Sequence, residues 1–166
     1  MLEKSQGALD EADPPLSLAA APSAEWHAAV GEWFGIDDEI RRRFVVHRSS
    51  TRRLHLVNRD HAAPARPAPD SVGLPFLKTG HRYPKLSTAA ALLLAGAAKR
   101  NVVELEPDQL EAYHEGRTFA INPVQTQSCT ATGYVITRYR GHGLGVALHD
   151  TDARTLRSLF AARWKG

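Results

Sequence analysis

The sequence predicts an α+β fold in which short strands and two inserted helices build a small, partly closed barrel. Short runs rich in β-branched and aromatic residues recur along the chain, and two helical segments lie between them. Short strands with a few inserted helices are typical of α+β architectures. A length of 166 residues fits one domain with a small appendage.

The N-terminal part is predicted to hold a tail, two helices and a hairpin. Residues 1–23 are rich in Ala, Pro, Asp and Glu, and we interpret them as a disordered acidic tail. Trp26, Val30 and Trp33 have helical spacing, and "IDDEIRRRF" predicts a second short helix. The runs "FVVHR" and "RLHLVN" predict a hairpin, so that 24–58 form a small subdomain.

The remaining elements are predicted after a proline-rich linker or long loop at 59–73. Residues 74–166 begin with the strand "GLPFLK" and the basic turn "TGHRYPK". The segment "LSTAAALLLAGAAKRN" predicts a helix that Ser87 or Thr88 can cap. This helix is apolar nearly all round and is therefore expected to be buried on more than one side. Next come the strand "VVEL" and the short helix "PDQLEAYHEG". They are followed by the strands "RTFAI", "YVITRYR" and "GLGVALH" and by the basic tail "TLRSLFAARWKG".

Charge is distributed unevenly along the chain, whose net charge is +3. Residues 1–40 contain nine acidic side chains and one lysine, whereas the other 126 residues contain twenty Lys and Arg against nine Asp and Glu. A folded part this basic favours a polyanionic partner, nucleic acid first, although solubility alone is an open alternative.

Targeting signals and disulfides are not expected. No apolar run approaches the roughly 18 residues of a membrane-spanning helix, and the acidic start lacks a signal-peptide pattern. The single cysteine, Cys129, excludes an intrachain disulfide, which fits a reducing compartment. We therefore expect a cytoplasmic protein.

The glycines in "GHGLG" raise the question of a dinucleotide site. Gly141 and Gly143 match the first two glycines of that fingerprint, but Val146 stands where Gly or Ala is needed, and the strand pattern continues instead of opening a helix. We therefore predict no cofactor. Gly141 permits a hairpin turn, and Gly143, Gly145 and Ala147 leave one strand face open to the alanine-rich helix.

Two segments together resemble a known RNA-binding region. The stretch from "GLPFLKTGHRYPK" to "YHEGRTF", followed by "GYVITRYRGHGLGVAL", is similar to the PUA-like C-terminal region of Sun-family 5-methylcytosine RNA methyltransferases. The shared pattern is a Gly80–Pro84 turn before an alanine/leucine helix, a Tyr113–Gly116 helix end, and a hairpin over 133–145. The segment "WFGIDDEIRRRFVVHRSSTRRLHLVN" is similar to the subdomain that precedes PUA domains in ribosome-assembly factors.

The resemblance implies a small N-terminal α/β subdomain followed by a PUA-like mixed β-barrel with two inserted helices. The S-adenosylmethionine loop and the catalytic cysteine segment of those methyltransferases have no counterpart here, so the implied function is binding without catalysis. Where the family often has a lysine, this chain has Leu148 or His149. The implied partner is structured rRNA or tRNA during RNA modification or ribosome assembly. Two alternatives stay open: the RNA-recognition subunit of a separate RNA methyltransferase, and a protein-interaction adaptor on ribosomal particles.

The candidate RNA contacts are cations near aromatic rings or on exposed strands and turns. The turn "LKTGHRYPK" offers cations for phosphates and a ring for an unpaired base. Arg138 and Arg140 are predicted to share a strand face about 7 Å apart, which matches neighbouring phosphates, although Glu104 or Glu106 are alternative partners. The full set is Lys78, His81, Arg82, Tyr83, Lys85, Arg138, Arg140, Arg52, Arg53, Arg157 and Arg163.

Metal and catalytic sites are not predicted. Glu111 and His114 have the spacing of a carboxylate metal site, but no second such pair occurs. The histidines and the lone cysteine fit no zinc pattern, and no nucleophile elbow is present. The three tryptophans, Trp26, Trp33 and Trp164, are predicted to pack within the core or subdomain.

Overall fold

The fold is α+β, as predicted. The computed structural model describes residues 23–62, 66–67, 69 and 71–160, which form two sheets and four helices. The helices are α1 Ser23–Phe34, α2 Asp38–Arg41, α3 Thr88–Leu94 and α4 Gln109–His114. The strands are β1 Phe44–Ser50, β2 Arg53–Asn58, β3 Leu74–Lys78, β4 Lys85–Leu86, β5 Val102–Glu104, β6 Thr118–Ala120, β7 Gly133–Tyr139, β8 His142–Asp150 and β9 Thr155–Ser158.

The strands are arranged in an antiparallel four-stranded sheet and a mixed five-stranded sheet. The first has the order β1-β2-β3-β4, and the second has the order β5-β7-β8-β9-β6, in which only β5 and β7 run parallel. Across the described ranges these strands do not close into one barrel. The start of the basic tail forms β9, which pairs with both β8 and β6 and completes the second sheet.

The first sheet extends across the proline-rich segment 59–73. Strand β3, which follows that segment, pairs with β2, which precedes it, with Arg53 opposite Lys78 and Leu54 opposite Leu77. The four-stranded sheet therefore contains strands from both sides of the predicted linker.

One hydrophobic cluster joins the two sheets. It contains Phe34 from α1, Leu54 from β2, Leu94 from α3 and Ile136 from β7, each at most 4% exposed. Fully burying a side chain of this size contributes about 1.5–3 kcal/mol. A second cluster, built around Tyr113 of α4, packs on the other side of the second sheet. None of the described helices has the length and apolar character that crossing a bilayer requires.

Helix α3 is shorter than predicted. The Ser87 hydroxyl accepts a hydrogen bond from the Ala90 amide at 3.0 Å, which is the expected N-cap. The helix ends at Leu94 rather than near Asn101, and the Arg138 guanidinium binds carbonyl oxygens in the turn that follows. The predicted burial on more than one side is confirmed, because α3 packs against β3 of the first sheet and β8 of the second. Its remaining face is open to solvent, with Leu92 and Leu93 49% and 48% exposed.

The glycines of the β7–β8 hairpin serve the fold. Gly141 has φ +78° in the turn, as predicted. A Cβ atom on Gly143 would lie 2.6 Å from the Cβ of Ala95, and one on Gly145 would lie 3.4 Å from a methyl group of Thr88. The predicted approach of the alanine-rich helix is confirmed at Gly143. It is wrong for the rest of the strand face, because a Cβ on Gly145 would meet the Tyr113 hydroxyl of α4 first, at 2.7 Å, and Ala147 packs in the Tyr113 cluster.

Adding a methyl group at Gly143 is expected to destabilise the protein. The Gly143→Ala variant crowds α3 and should lose about 1–3 kcal/mol of unfolding free energy in urea titrations. Gly96→Ala is the matched control, because a Cβ at position 96 has no other atom within 4 Å. Equal stability of the two variants would contradict the close helix–strand contact.

Candidate nucleic-acid interface

The basic turn "TGHRYPK" is a compact loop between β3 and β4. Lys78 and Lys85 are paired across these two strands, so the residues between them form a closed loop. Gly80 has φ +86°, a conformation that glycine adopts readily and that reverses the chain. The side chains of His81 and Arg82 are exposed, and Tyr83 is half-buried.

Trp33 of α1 holds this loop against β7. Its ring stacks on Tyr83 with centroids 4.2 Å apart, and its Nε1–H donates to the carbonyl oxygen of Tyr134 at 2.8 Å. Gly133 makes the contact possible, because a Cβ there would lie 2.6 Å from the Trp33 ring. The predicted packing role of Trp33 is therefore confirmed, and its partners are the loop and the second sheet.

Asn101 holds the backbone carbonyl group of Trp33 in place. It is fully buried and adopts φ +51°, which asparagine tolerates better than most residues. Its side-chain amide donates to the Trp33 carbonyl at 2.7 Å, and its side-chain oxygen accepts from the Thr130 amide at 3.0 Å. Both polar ends of this buried side chain are thus satisfied.

A groove of about 440 Å³ lies between the loop and β7. Its lining residues are His81, Arg82, Tyr83, Ala131, Thr132, Gly133, Tyr134 and Leu148. The sequence predicted the loop side of this groove but missed Tyr134. The available signal was the aromatic residue in "GYV", directly after the glycine that contacts Trp33.

Aromatic rings position the cations around the groove. The Arg82 guanidinium lies 5.2 Å from the Tyr83 ring centroid, and the Lys85 ammonium lies 5.2 Å from that of Tyr134. His81 meets Tyr134 edge-on, with its Nδ1 atom 3.3 Å from the tyrosine hydroxyl. Loss of hydration on the side that faces Tyr134, together with Lys85 and Lys78, lowers the pKa of the otherwise exposed His81, so it is a neutral hydrogen-bonding group at neutral pH.

Three cations form a row across adjacent strands of the first sheet. Arg53 on β2 is opposite Lys78 on β3, which is opposite Lys85 on β4. Residues that are paired across strands point to the same side, and like charges placed so are destabilising. None of the three forms an ion pair with a carboxylate in the part of the chain that the structure describes. We call these residues the basic row.

Two further predicted residues flank the groove and the row. Arg52 is next to the row, and its carbonyl oxygen accepts from the Thr79 amide at 3.0 Å, which places the β1–β2 turn beside the loop. Arg157 on β9 is opposite Leu148, which is itself opposite Tyr134, so an exposed arginine extends the far wall of the groove. Arg163 lies outside the described residues.

Arg138 and Arg140 lie away from both the groove and the basic row, and they do not share a strand face as predicted. The Arg138 guanidinium donates to the carbonyl oxygens of Ala95 and Ala98, the latter at 2.6 Å, so it binds the chain at the end of α3. Arg140 lies beyond the end of β7 with φ +50°, in the hairpin turn, and its guanidinium is 5.2 Å from the Tyr139 ring. Four residues along a strand separate Arg138 from Tyr134, or about 13 Å.

Leu148 and His149, where Sun-family proteins often have a lysine, differ in exposure. Leu148 lines the groove, whereas His149 is only 4% exposed. Burial lowers the pKa of His149, so it contributes no positive charge at neutral pH.

Reactive or metal-binding groups are not assembled at this site. Within the described ranges no three His, Cys, Asp or Glu side chains converge as metal ligands. Burial raises the pKa of the Cys129 thiol to about 11, so it stays protonated at neutral pH. The cations of the basic row and the aromatic rings of the groove suit an anion that carries planar groups.

Comparison with known proteins adds a fold relationship. No protein-family model matches this chain, and no curated protein is significantly similar to it. The chain is similar to the crystal structure of hypothetical protein PH0734.1 from the hyperthermophilic archaeon Pyrococcus horikoshii OT3, with a TM-score of 0.51 and 14% sequence identity. The match covers 92% of this chain and 96% of that chain, and at this identity it shows a shared fold alone.

Replacing Trp33 is expected to cost more stability than replacing Trp26. Trp33→Phe removes the hydrogen bond to Tyr134 and weakens the stack on Tyr83, whereas the Nε1 atom of Trp26 is buried without a partner among the described residues. We expect Trp33→Phe to lose about 1 kcal/mol more than Trp26→Phe in urea unfolding. Equal losses would show that the hydrogen bond and stack contribute nothing specific.

Proposed function

We propose that this protein binds RNA without catalysing a reaction, and that its RNA surface consists of the basic row and the adjoining groove. The proposed ligand is structured rRNA or tRNA, bound during RNA modification or ribosome assembly. The proposal includes a PUA-like organisation of residues 74–166, with 59–73 as the connection and 1–23 as an acidic tail. The preceding segment 24–58 is packed onto it through the shared first sheet.

The observation that carries the proposal is the unpaired basic row. Arg53, Lys78 and Lys85 repel one another in the free protein, and no described carboxylate offsets that repulsion. Other exposed arginines of this chain do have acidic partners, such as Arg43 with Glu39 and Arg117 with Glu115. A polyanion would relieve the repulsion of the row and release counterions on binding.

The dimensions of the row support a polynucleotide backbone as the ligand. Neighbouring strands lie about 4.8 Å apart, so the three cations span about 10 Å. That length reaches two or three successive phosphates of an extended strand. Arg82 and Lys85 continue the positive surface into the groove, where Tyr83 and Tyr134 offer ring edges and a hydroxyl to a base or ribose.

Neutralising two residues of the row is expected to weaken RNA binding and its salt dependence. For Lys78→Gln combined with Lys85→Gln, we expect about tenfold weaker filter binding of total tRNA or rRNA at low salt. The slope of log K against log salt should become shallower by about 1.5, because each lost phosphate contact removes about 0.7–0.9.

The matched control is Arg43→Gln combined with Arg117→Gln. It removes the same charge from arginines that already have carboxylate partners, so RNA affinity should change by less than about twofold. If both double variants lose affinity equally, net charge alone governs binding and the row is not the site.

A protein-interaction adaptor is the second candidate, because Leu92 and Leu93 are adjacent and half-exposed on α3. Exposed neighbouring leucines of this kind can be part of a contact with another protein. A wild-type protein that fails to retain either RNA at low salt would favour this function over the first. The RNA-recognition subunit of a separate methyltransferase remains compatible with RNA binding and requires a co-purifying catalytic chain.

A further inference from the structure

A second cavity lies in the N-terminal part of the fold, apart from the groove. It has a volume of about 580 Å³ and is bounded by α1, α2, the turn after β2 and the turn after α3. Four arginines and two carboxylates line it, so positive charge is in excess: Arg41, Arg42, Arg59 and Arg100, with Glu32 and Asp38. The cavity and the groove have no lining residue in common.

Arg41 is a fixed part of the cavity wall. Its guanidinium donates to the carbonyl oxygens of Ile36, at 3.0 Å, and His27, and forms an ion pair with Asp38. Gly31 lets the guanidinium lie against α1, because a Cβ at that position would be 2.5 Å from the Arg41 Cζ atom. Asp38 also pairs with Arg42 at 3.0 Å, so this carboxylate is already shared between two cations.

Arg59 and Arg100 are the two lining arginines that form no ion pair within the described residues, and together they outweigh the one lining carboxylate without an ion pair, Glu32. Their backbone amides bind the carbonyl oxygens of Arg43 and Phe34 at 2.8 and 3.0 Å, which fixes where each side chain starts. The Arg59 Nε also donates to the Arg42 carbonyl oxygen, which leaves its terminal nitrogens for another acceptor. Neither residue has a carboxylate within ion-pair distance among the described residues.

His27 contributes a hydrogen-bonding atom without a partner. Its Nε2 atom is buried and makes no hydrogen bond within the described part of the chain. Leaving a buried polar atom unsatisfied costs about 1–3 kcal/mol, which a ligand atom would recover.

We infer that this cavity is a binding site for a tetrahedral oxyanion, the phosphate group of a nucleotide chain or a free phosphate or sulfate ion. Guanidinium groups from two separate turns, those of Arg59 and Arg100, suit the several oxygen atoms of such an anion. His27 completes the site by donating from Nε2 when it is protonated. This inference is independent of the proposed RNA surface, because its residues are different.

The site is expected to bind anions more tightly at lower pH. Burial is the main cause that lowers the pKa of His27, and Arg41 and Arg59 add to it, whereas the Phe44 backbone and Asp38 oppose it. An anion beside the ring stabilises the imidazolium, so binding raises the pKa of His27 and takes up a proton. Anion affinity should therefore rise as the pH falls from 8 to 6.

Sulfate titration of the full chain, followed through the His27 ring signals by NMR, tests the inference. Sulfate keeps one charge state in this pH range, and chloride holds the ionic strength constant. We expect a saturable shift in the wild type, with a sulfate affinity that increases toward pH 6. Arg59→Gln with Arg100→Gln should weaken the sulfate affinity about tenfold or more. If that double variant is unstable, Arg100→Gln alone should weaken the affinity measurably.

Arg52→Gln with Arg53→Gln is the matched control, since it removes two positive charges outside the cavity and should leave sulfate binding unchanged. No saturable shift in the wild type, or equal binding by the cavity and control variants, would overturn the inference. Competition between RNA and sulfate at His27 would identify a nucleic-acid phosphate as the source, whereas sulfate binding without competition would identify a free ion. Loss of RNA binding in the control variant, with sulfate binding intact, would separate the two sites.

Discussion

The contact of Trp33 with Tyr83, Gly133 and the Tyr134 carbonyl is the constraint on which the rest of the candidate site depends. Trp33 belongs to the first helix, Tyr83 to the loop of the first sheet, and Gly133 to the second sheet. One indole therefore fixes three parts of the chain relative to one another. Asn101 holds the backbone of that residue through a buried hydrogen bond, so the ring cannot shift without leaving polar groups unpaired.

Beside this contact, repulsion between neighbouring cations lowers the stability of the free protein. Three cations of the basic row lie side by side, and one of them, Lys85, also lies over the Tyr134 ring. The Tyr83 ring positions a fourth cation, Arg82, at the rim of the groove. Arginines elsewhere in the molecule do have carboxylate partners, as in the pairs Arg43–Glu39 and Arg117–Glu115, whereas the cations of the row do not within the described residues. An arrangement that loses stability locally and leaves its charges facing solvent is typical of sites that bind charged ligands.

Patterns within single elements were predictable, whereas relations set by distant residues were not. The strand-like runs "FVVHR" and "RLHLVN" predicted the hairpin, and the capping residues Ser87 or Thr88 predicted the start of α3. The end of α3 was not predictable, because "AGAAK" continues a helical composition, and Arg138, whose guanidinium binds the carbonyl oxygens beyond Leu94, is about forty residues away in sequence. Arg140 broke the predicted strand alternation by entering the turn with positive φ. Tyr134 joined the site only through strand register.

The pairing of β2 with β3 has a consequence for how this fold can be divided. Half of the first sheet comes from before the proline-rich segment and half from after it. A fragment that starts at residue 74 would expose the backbone N–H and C=O groups of β3 along one side, together with the apolar face of Phe76. The C-terminal half is therefore not an autonomous module that could be transplanted alone into another protein, and the N-terminal segment is an integral part of it.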